Sequence, residues 1–165
     1  LGDVYKRQVM GIDSDLGTAF AKSQIAARQI LPLAGKVFIS VKDYDKGEII
    51  AVGKQFCDMG FEILSTPGTA QSLSDQGIPV TRLSRIGEGR PNLLDYIKNR
   101  DVGLLINTPS GPKPRRDEVA IRNTAVAHGI PVVTTVSGAV AVIGGIRALK
   151  RGTFAIRSLQ EIYAA

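Results

Sequence analysis

The chain of 165 residues holds one cysteine, one histidine and no tryptophan, and aromatic residues make up only 5% of it. A single thiol, Cys57, excludes an intramolecular disulfide and suits a reducing compartment. With one histidine and one cysteine there is no imidazole–thiolate set at metal-ligand spacing. The lysines and arginines are scattered rather than interleaved with aromatics, and the densest knot is KPRR at 113–116. That pattern argues against a nucleic-acid surface. No apolar run, even through AVAVIGGI at 139–146, approaches the roughly 20 residues of a membrane-spanning helix. Met10 is internal and no apolar h-region follows the charged start, so the expectation is a cytoplasmic protein with no membrane partner. The nucleotide and hydrolase signatures G-x-G-x-x-G, G-x-x-x-x-G-K-[ST] and G-x-S-x-G do not occur.

What is present is a globular composition, with 44% hydrophobic and 22% charged residues, of a size for one domain with a proper core. The net charge of +6 favours an anionic partner such as a nucleotide or phosphate ester. Short apolar strands are expected at 36–41, 61–64, 80–83, 102–107 and 131–136. Helices are expected at 15–31, from Ile49 to Met59, and at 69–76, 91–98, 116–128 and 138–149. Ser14 or Asp15 can cap the first helix and Ser137 the last. Five strand–helix alternations with fully apolar strands predict an α/β fold, a three-layer α/β/α arrangement around a five-stranded parallel sheet. The last helix is apolar nearly all round and must be buried or cover an interface. The tail FAIRSLQEIY reads as a short strand or extended segment.

In such sheets ligands bind beyond the carboxyl ends of the strands. Those ends carry Ser40 and Lys46, then Thr66, Gly68 and Thr69, then Arg85 and Arg90, then Asn107, and finally Thr134. Thr66, Gly68 and Thr69 stand where a strand gives way to a helix, where free N–H groups and the helix dipole favour an anion. An amide such as Asn107 reads a ribose or base, and two or three cations balance a phosphate. Each feature alone has a plainer reading. Thr and Gly before a helix are ordinary capping residues, single cations are solvated surface charges, Cys57 sits beside an apolar helix face, and His128 suits a helix C-terminus. The convergence of three strand ends lifts the anion reading. The acids near that face, Asp43, Asp45, Glu88 and Asp117, have no spacing that demands acid–base catalysis.

The stretches FISVKDYDK, STPGTAQSL, RIGEGRPNLLDYI, LLINTPSG and IPVVTTVSGAVAVIGGIRAL, in this order, resemble the methylglyoxal-synthase-like domain at the carboxyl end of the large subunit of glutamine-dependent carbamoyl phosphate synthase. VMGIDSDLGTAFAKSQIAARQILPLAGKV resembles the tail of the ATP-grasp unit before it, and LGDVYKRQ matches nothing there. The resemblance therefore implies an extraneous segment at 1–8, an ATP-grasp tail at 9–35 and the methylglyoxal-synthase-like allosteric domain at 36–165. It implies a regulatory role: binding uridine monophosphate, sometimes inosine monophosphate, with ornithine as activator nearby. The family's nucleotide pocket carries over onto Ser40, Lys46, Thr66, Gly68, Thr69, Arg85 and Asn107, with Thr134 at a possible second effector site and no catalytic residue or metal ligand in this stretch. Arg85, Pro109 and Val133 depart from the enterobacterial lysine, threonine and aspartate. The whole enzyme is a ligase that makes carbamoyl phosphate for pyrimidine and arginine biosynthesis. It uses ATP with Mg2+ or Mn2+ in upstream domains and a glutaminase small subunit, so this stretch itself needs no cofactor; the last helix, apolar nearly all round, is the expected surface for docking on the upstream domains or for oligomerisation. The rival reading is a stand-alone methylglyoxal synthase acting on dihydroxyacetone phosphate, which needs a carboxylate beside the reacting carbons.

Overall fold

A computed structural model describes residues 9–109, 116–152, 155, 158, 160 and 161. The segment 1–8, the stretch 113–115 of the basic knot and most of the tail at 154–163 lie outside the described residues.

The elements run α1 (Leu16–Ala26), β1 (Gly35–Ser40), a 3-10 turn (Asp43–Asp45), α2 (Lys46–Asp58), β2 (Phe61–Ser65), α3 (Pro67–Ser74), β3 (Thr81–Arg82), α4 (Leu93–Lys98), β4 (Leu104–Asn107), α5 (Arg116–Ala127), β5 (Val132–Val133) and α6 (Val136–Arg151). The five strands form one sheet in the order β3-β2-β1-β4-β5, and every pairing is parallel. This is the expected α/β architecture.

Alternation along the strands splits the core in two. Val37, Ile39, Ile63, Leu104 and Ile106 point to one face, where Ile49, Val52 and Phe56 of α2, Leu73 of α3 and Val142, Ile143 and Ile146 of α6 cover them. Phe38, Leu64 and Leu105 point to the other, under Leu93 and Ile97 of α4 and Ile121 and Ala125 of α5. With both faces covered, the strands need apolar residues at nearly every position, which is why they read as unbroken hydrophobic runs.

Most element boundaries shift by one to three residues from the sequence expectation, and those of the first and last helices have a visible cause. The first helix ends at Ala26 rather than residue 31, because Arg28 takes φ 57° and the Gln29 N–H closes back onto the Gln24 carbonyl. Leu31 still reaches the core, but from an extended segment, while Ile30 is 82% exposed. The last helix starts at Val136, and its cap is Thr135, whose hydroxyl accepts the Gly138 N–H at 3.0 Å, rather than Ser137. At the start of α1 it is Asp15 that caps, accepting the Thr18 N–H at 2.9 Å.

The apolar circumference of α6 has a local explanation. One face lies on the sheet, and α1 packs against another so closely that a Cβ on Gly17 would stand 2.7 Å from the Gly144 carbonyl oxygen. Arg151 at the end of α6 pairs with Asp15 at the start of α1 at 3.0 Å, which closes the crossing.

Candidate functional site: an anion cradle at the strand ends

The central strands β2, β1 and β4 end at Ser65, Ser40 and Asn107, and the chain continues from each over one mouth of the sheet. A cavity of about 540 Å3 opens there. Ser40, Lys46, Thr66, Gly68, Thr69, Arg85 and Asn107 all line it. Arg90 does not; it is 82% exposed at its side chain and stands 3.9 Å from Asp95.

The floor is the N-terminus of α3. Thr66 is the N-cap residue, but its hydroxyl makes no cap hydrogen bond and lies 3.0 Å from the Ser40 hydroxyl instead. Pro67 follows and has no N–H to satisfy. The next two amides, of Gly68 and Thr69, have no hydrogen-bond partner among the described residues, while the Ala70 N–H already reaches the Thr66 carbonyl at 2.8 Å. Two uncapped donors at the positive end of a helix dipole are the kind of donor set that favours an anion. Lys46 completes it. Its Nζ stands 3.5 Å from the place a Cβ on Gly68 would take, so the missing side chain at 68 lets the ammonium and the helix end share one space.

The side wall is held by hydroxyls that serve the backbone. The Thr69 hydroxyl accepts the Val41 N–H at 3.2 Å and lies 3.4 Å from the Val41 carbonyl, and the residue is 2% exposed. Its side chain therefore fastens α3 to the exit of β1, and what it offers a ligand is its N–H. Thr108 does the same from the other side, accepting the Lys42 N–H at 3.0 Å. Asn107 differs from both. It is 3% exposed, and its carboxamide has no hydrogen bond with any described residue. That carboxamide is not fully enclosed and opens onto the cavity, where it can both donate and accept a hydrogen bond.

The rest of the lining has two characters. Phe38, Ile86, Leu93 and Ile121 make an apolar wall, and Asp117 and Glu118 stand on the first turn of α5. Asp43 lies on the rim, 2.7 Å from the Lys46 ammonium, which holds its carboxyl below the usual carboxylate range.

A family model of the MGS-like domain matches residues 48–134. The chain belongs to the MGS-like domain family. Among curated proteins, this MGS-like chain is 43% identical over 154 residues to a carbamoyl phosphate synthase large chain from Nostoc sp., a match covering 93% of this chain and 14% of that protein. It is 45% identical over 157 residues to a carbamoyl phosphate synthase large chain from Rhodopirellula baltica, covering 95% of this chain and 14% of that one. The chain thus spans about 14% of the length of the relatives it matches. Among solved structures, a methylglyoxal synthase from Elizabethkingia anophelis superposes with a TM-score of 0.56 at 16% identity, over 68% of this chain and 79% of that one. At that identity the likeness is one of fold.

In this MGS-like domain Thr134 lies apart from the cradle. It is exposed and lines a second cavity of about 420 Å3, between the end of α1, the end of α5 and the start of α6. Among the described residues no charged side chain lines that second cavity. Among the described residues there is no cluster of three or more His, Cys, Asp or Glu side chains able to hold a metal ion, and no helix is long and apolar enough to cross a membrane. Cys57 is half-buried beside the α2 core face, and burial pushes its thiol upward.

The sequence reading does not single out Thr108, Glu118 or the apolar wall. Asp117 and Glu118 carried one usable signal, the placement of acids in a helix's first turn. The wall residues carried none, because they read as ordinary core.

Proposed function

We propose that this chain is the effector-binding domain of a carbamoyl phosphate synthase large chain, and that its cradle takes a nucleoside monophosphate of the uridine monophosphate type. The reading rests above all on one convergence. The Gly68 and Thr69 amides, unpartnered among the described residues, and the Lys46 ammonium meet at one end of a cavity that Arg85, Asn107 and an apolar wall also line. A phosphate fits the first end, a ribose or base edge matches the carboxamide, and a planar base matches the wall. The volume of about 540 Å3 is in the range of small-molecule sites. The names of the 43–45% identical relatives support the assignment to this synthase.

In this role the domain performs no chemistry. An effector that binds one conformation of the synthase better shifts the population toward it, and the coupling is reciprocal between effector and substrate affinities. The ATP-dependent synthesis of carbamoyl phosphate, its metal ions and the glutaminase partner belong to the remainder of the larger enzyme.

A second reading, methylglyoxal formation from dihydroxyacetone phosphate, draws on the Asp117 and Glu118 carboxylates on the same wall as a source of acid–base chemistry. Titration calorimetry with uridine and inosine monophosphates separates the two, with dihydroxyacetone phosphate assayed alongside. Nucleotide binding that orthophosphate competes away supports the effector reading. Turnover of dihydroxyacetone phosphate, or no heat with either nucleotide, overturns it.

A further inference from the structure

We propose that Asp43 is a built-in competitor for the cradle's anion: its carboxylate occupies the Lys46 ammonium until a ligand displaces it, and so lowers the affinity of the site. This inference rests on the reading of the cavity as an anion site. Among the described residues three cations line that cavity, and each already faces a carboxylate. Lys46 stands 2.7 Å from Asp43, Lys42 stands 3.7 Å from Asp45, and Arg85 stands 3.8 Å from Glu88. Only the first of these is at hydrogen-bond distance, and it is the cation nearest the open end of α3.

A carboxylate beside a binding lysine can do one of two opposite things. It can hold the lysine in place for the ligand, or it can hold the lysine away from it. A positioning group must itself be anchored, and Asp43 is not. Its side chain is 95% exposed, and among the described residues its carboxylate meets only the Lys46 ammonium. Asp45, by contrast, is nearly buried in the same turn. The Lys46 backbone is fixed without the Asp43 side chain: its N–H closes the 3-10 turn onto the Asp43 carbonyl, and it is the first residue of α2. The lysine thus reaches the cradle from a rigid base, and the Asp43 carboxylate is the movable partner. When a phosphate arrives, the carboxylate rotates into water and regains its hydration, and the ammonium changes counter-ion. An exposed ion pair is worth little, so the exchange is easy, but it subtracts from every anion that binds.

The test is calorimetric titration of the wild-type chain and Asp43→Asn with orthophosphate and with uridine monophosphate. The expected result is binding about two- to fivefold tighter in the variant, the range an exposed ion pair spans. Glu88→Gln, at the longer Arg85 contact, is expected to give a smaller gain. The gain from Asp43→Asn should vanish in a Lys46→Met background. Unchanged or weaker binding by Asp43→Asn, with wild type binding normally, overturns the inference and makes the carboxylate a positioning group. A gain that survives undiminished in the Lys46→Met background also overturns it, since the competition would then not be for the ammonium. Binding of phosphate and nucleotide by neither protein removes the anion reading itself, and the inference with it. A thermal melt identical to wild type is expected for Asp43→Asn, because the side chain is exposed.

Discussion

The hydroxyls of Ser40 and Thr66 lie 3.0 Å apart at the ends of adjacent parallel strands, one rung beyond the Ile39–Ser65 pairing. This contact leaves the N-terminus of α3 uncapped, since a threonine at the N-cap position would otherwise turn its oxygen onto the helix's own amides. The pair therefore adds two hydroxyl groups to the mouth of the cavity and frees two N–H groups behind them. Replacing Thr66 by valine keeps the shape and removes one hydroxyl. The expected outcome is a roughly three- to tenfold rise in the dissociation constant for uridine monophosphate, the size of one neutral hydrogen bond. The fold should be retained by circular dichroism, and unchanged affinity would remove Thr66 from the cradle.

Lys46 carries more. It is the cation closest to the helix end, and a hydrogen bond to a charged group contributes about 1.5 to 3 kcal/mol. Lys46→Ala is accordingly expected to weaken nucleotide and orthophosphate binding by about ten- to a hundredfold. It should also flatten the salt dependence of what binding remains. Calorimetry at two ionic strengths reads both effects. A loss confined to the nucleotide, with orthophosphate unaffected, would place the phosphate elsewhere.

Thr69 and Thr108 act as two clamps on the exit of β1, through the Val41 and Lys42 amides. They matter because Ser40, Asp43 and Lys46 all sit on or just beyond that exit. Thr108→Val preserves volume at a position 3% exposed but leaves the Lys42 N–H without its acceptor. The expected cost is about 1 to 2 kcal/mol of stability, seen as a lower urea midpoint with an unchanged slope. A weaker nucleotide affinity should accompany it, because the turn that leads from β1 into Lys46 loses one of its ties. A variant as stable as wild type would show that the clamp is dispensable.

The sheet and the gathering of the strand-end residues around one cavity were legible in the sequence because both depend on residue types with narrow conformational uses. Val37 to Ile39 and Leu104 to Ile106 must be apolar on both faces, so the strands announce themselves. Thr66, Pro67 and Gly68 are a strand-to-helix junction in sequence as in space. What was not legible came from tertiary contact. The apolar spacing of α1 runs on to Leu31, yet the helix stops at Ala26, because Arg28 turns left-handed and Leu31 finds the core by another route. The task of Thr69 was equally hidden. Its hydroxyl is committed to Val41, 28 residues away, and nothing local distinguishes it from the Thr66 hydroxyl that stays at the mouth. The apolar wall of Phe38, Leu93 and Ile121 is core by composition and lining by position, a distinction that only the packing makes.

The meeting of α1 and α6 gives a test in which two opposing effects can be ranked. An alanine replacing glycine in a helix interior gains up to about 1 kcal/mol of propensity, whereas forcing a methyl group into closed space costs about 1 to 3 kcal/mol. At Gly47, on the first turn of α2, a new Cβ would meet nothing within 4 Å, so Gly47→Ala should leave stability unchanged or raise it. At Gly144 the nearest foreign atom is the Gly17 Cα at 3.3 Å, also backbone but farther off than the 2.7 Å contact at Gly17, so the steric cost is smaller, the two effects nearly cancel and Gly144→Ala should stay within about 1 kcal/mol of wild type. At Gly17 the nearest atom is the Gly144 carbonyl oxygen at 2.7 Å, which is backbone and cannot rotate away. There the steric cost wins, and Gly17→Ala should lose about 1 to 2 kcal/mol. Chemical denaturation of the three variants checks the order, with Gly47→Ala the most stable and Gly17→Ala the least. Equal stability of Gly17→Ala and Gly47→Ala would mean that α1 does not lie on α6 at this distance, and that the apolar circumference of α6 is covered by something else.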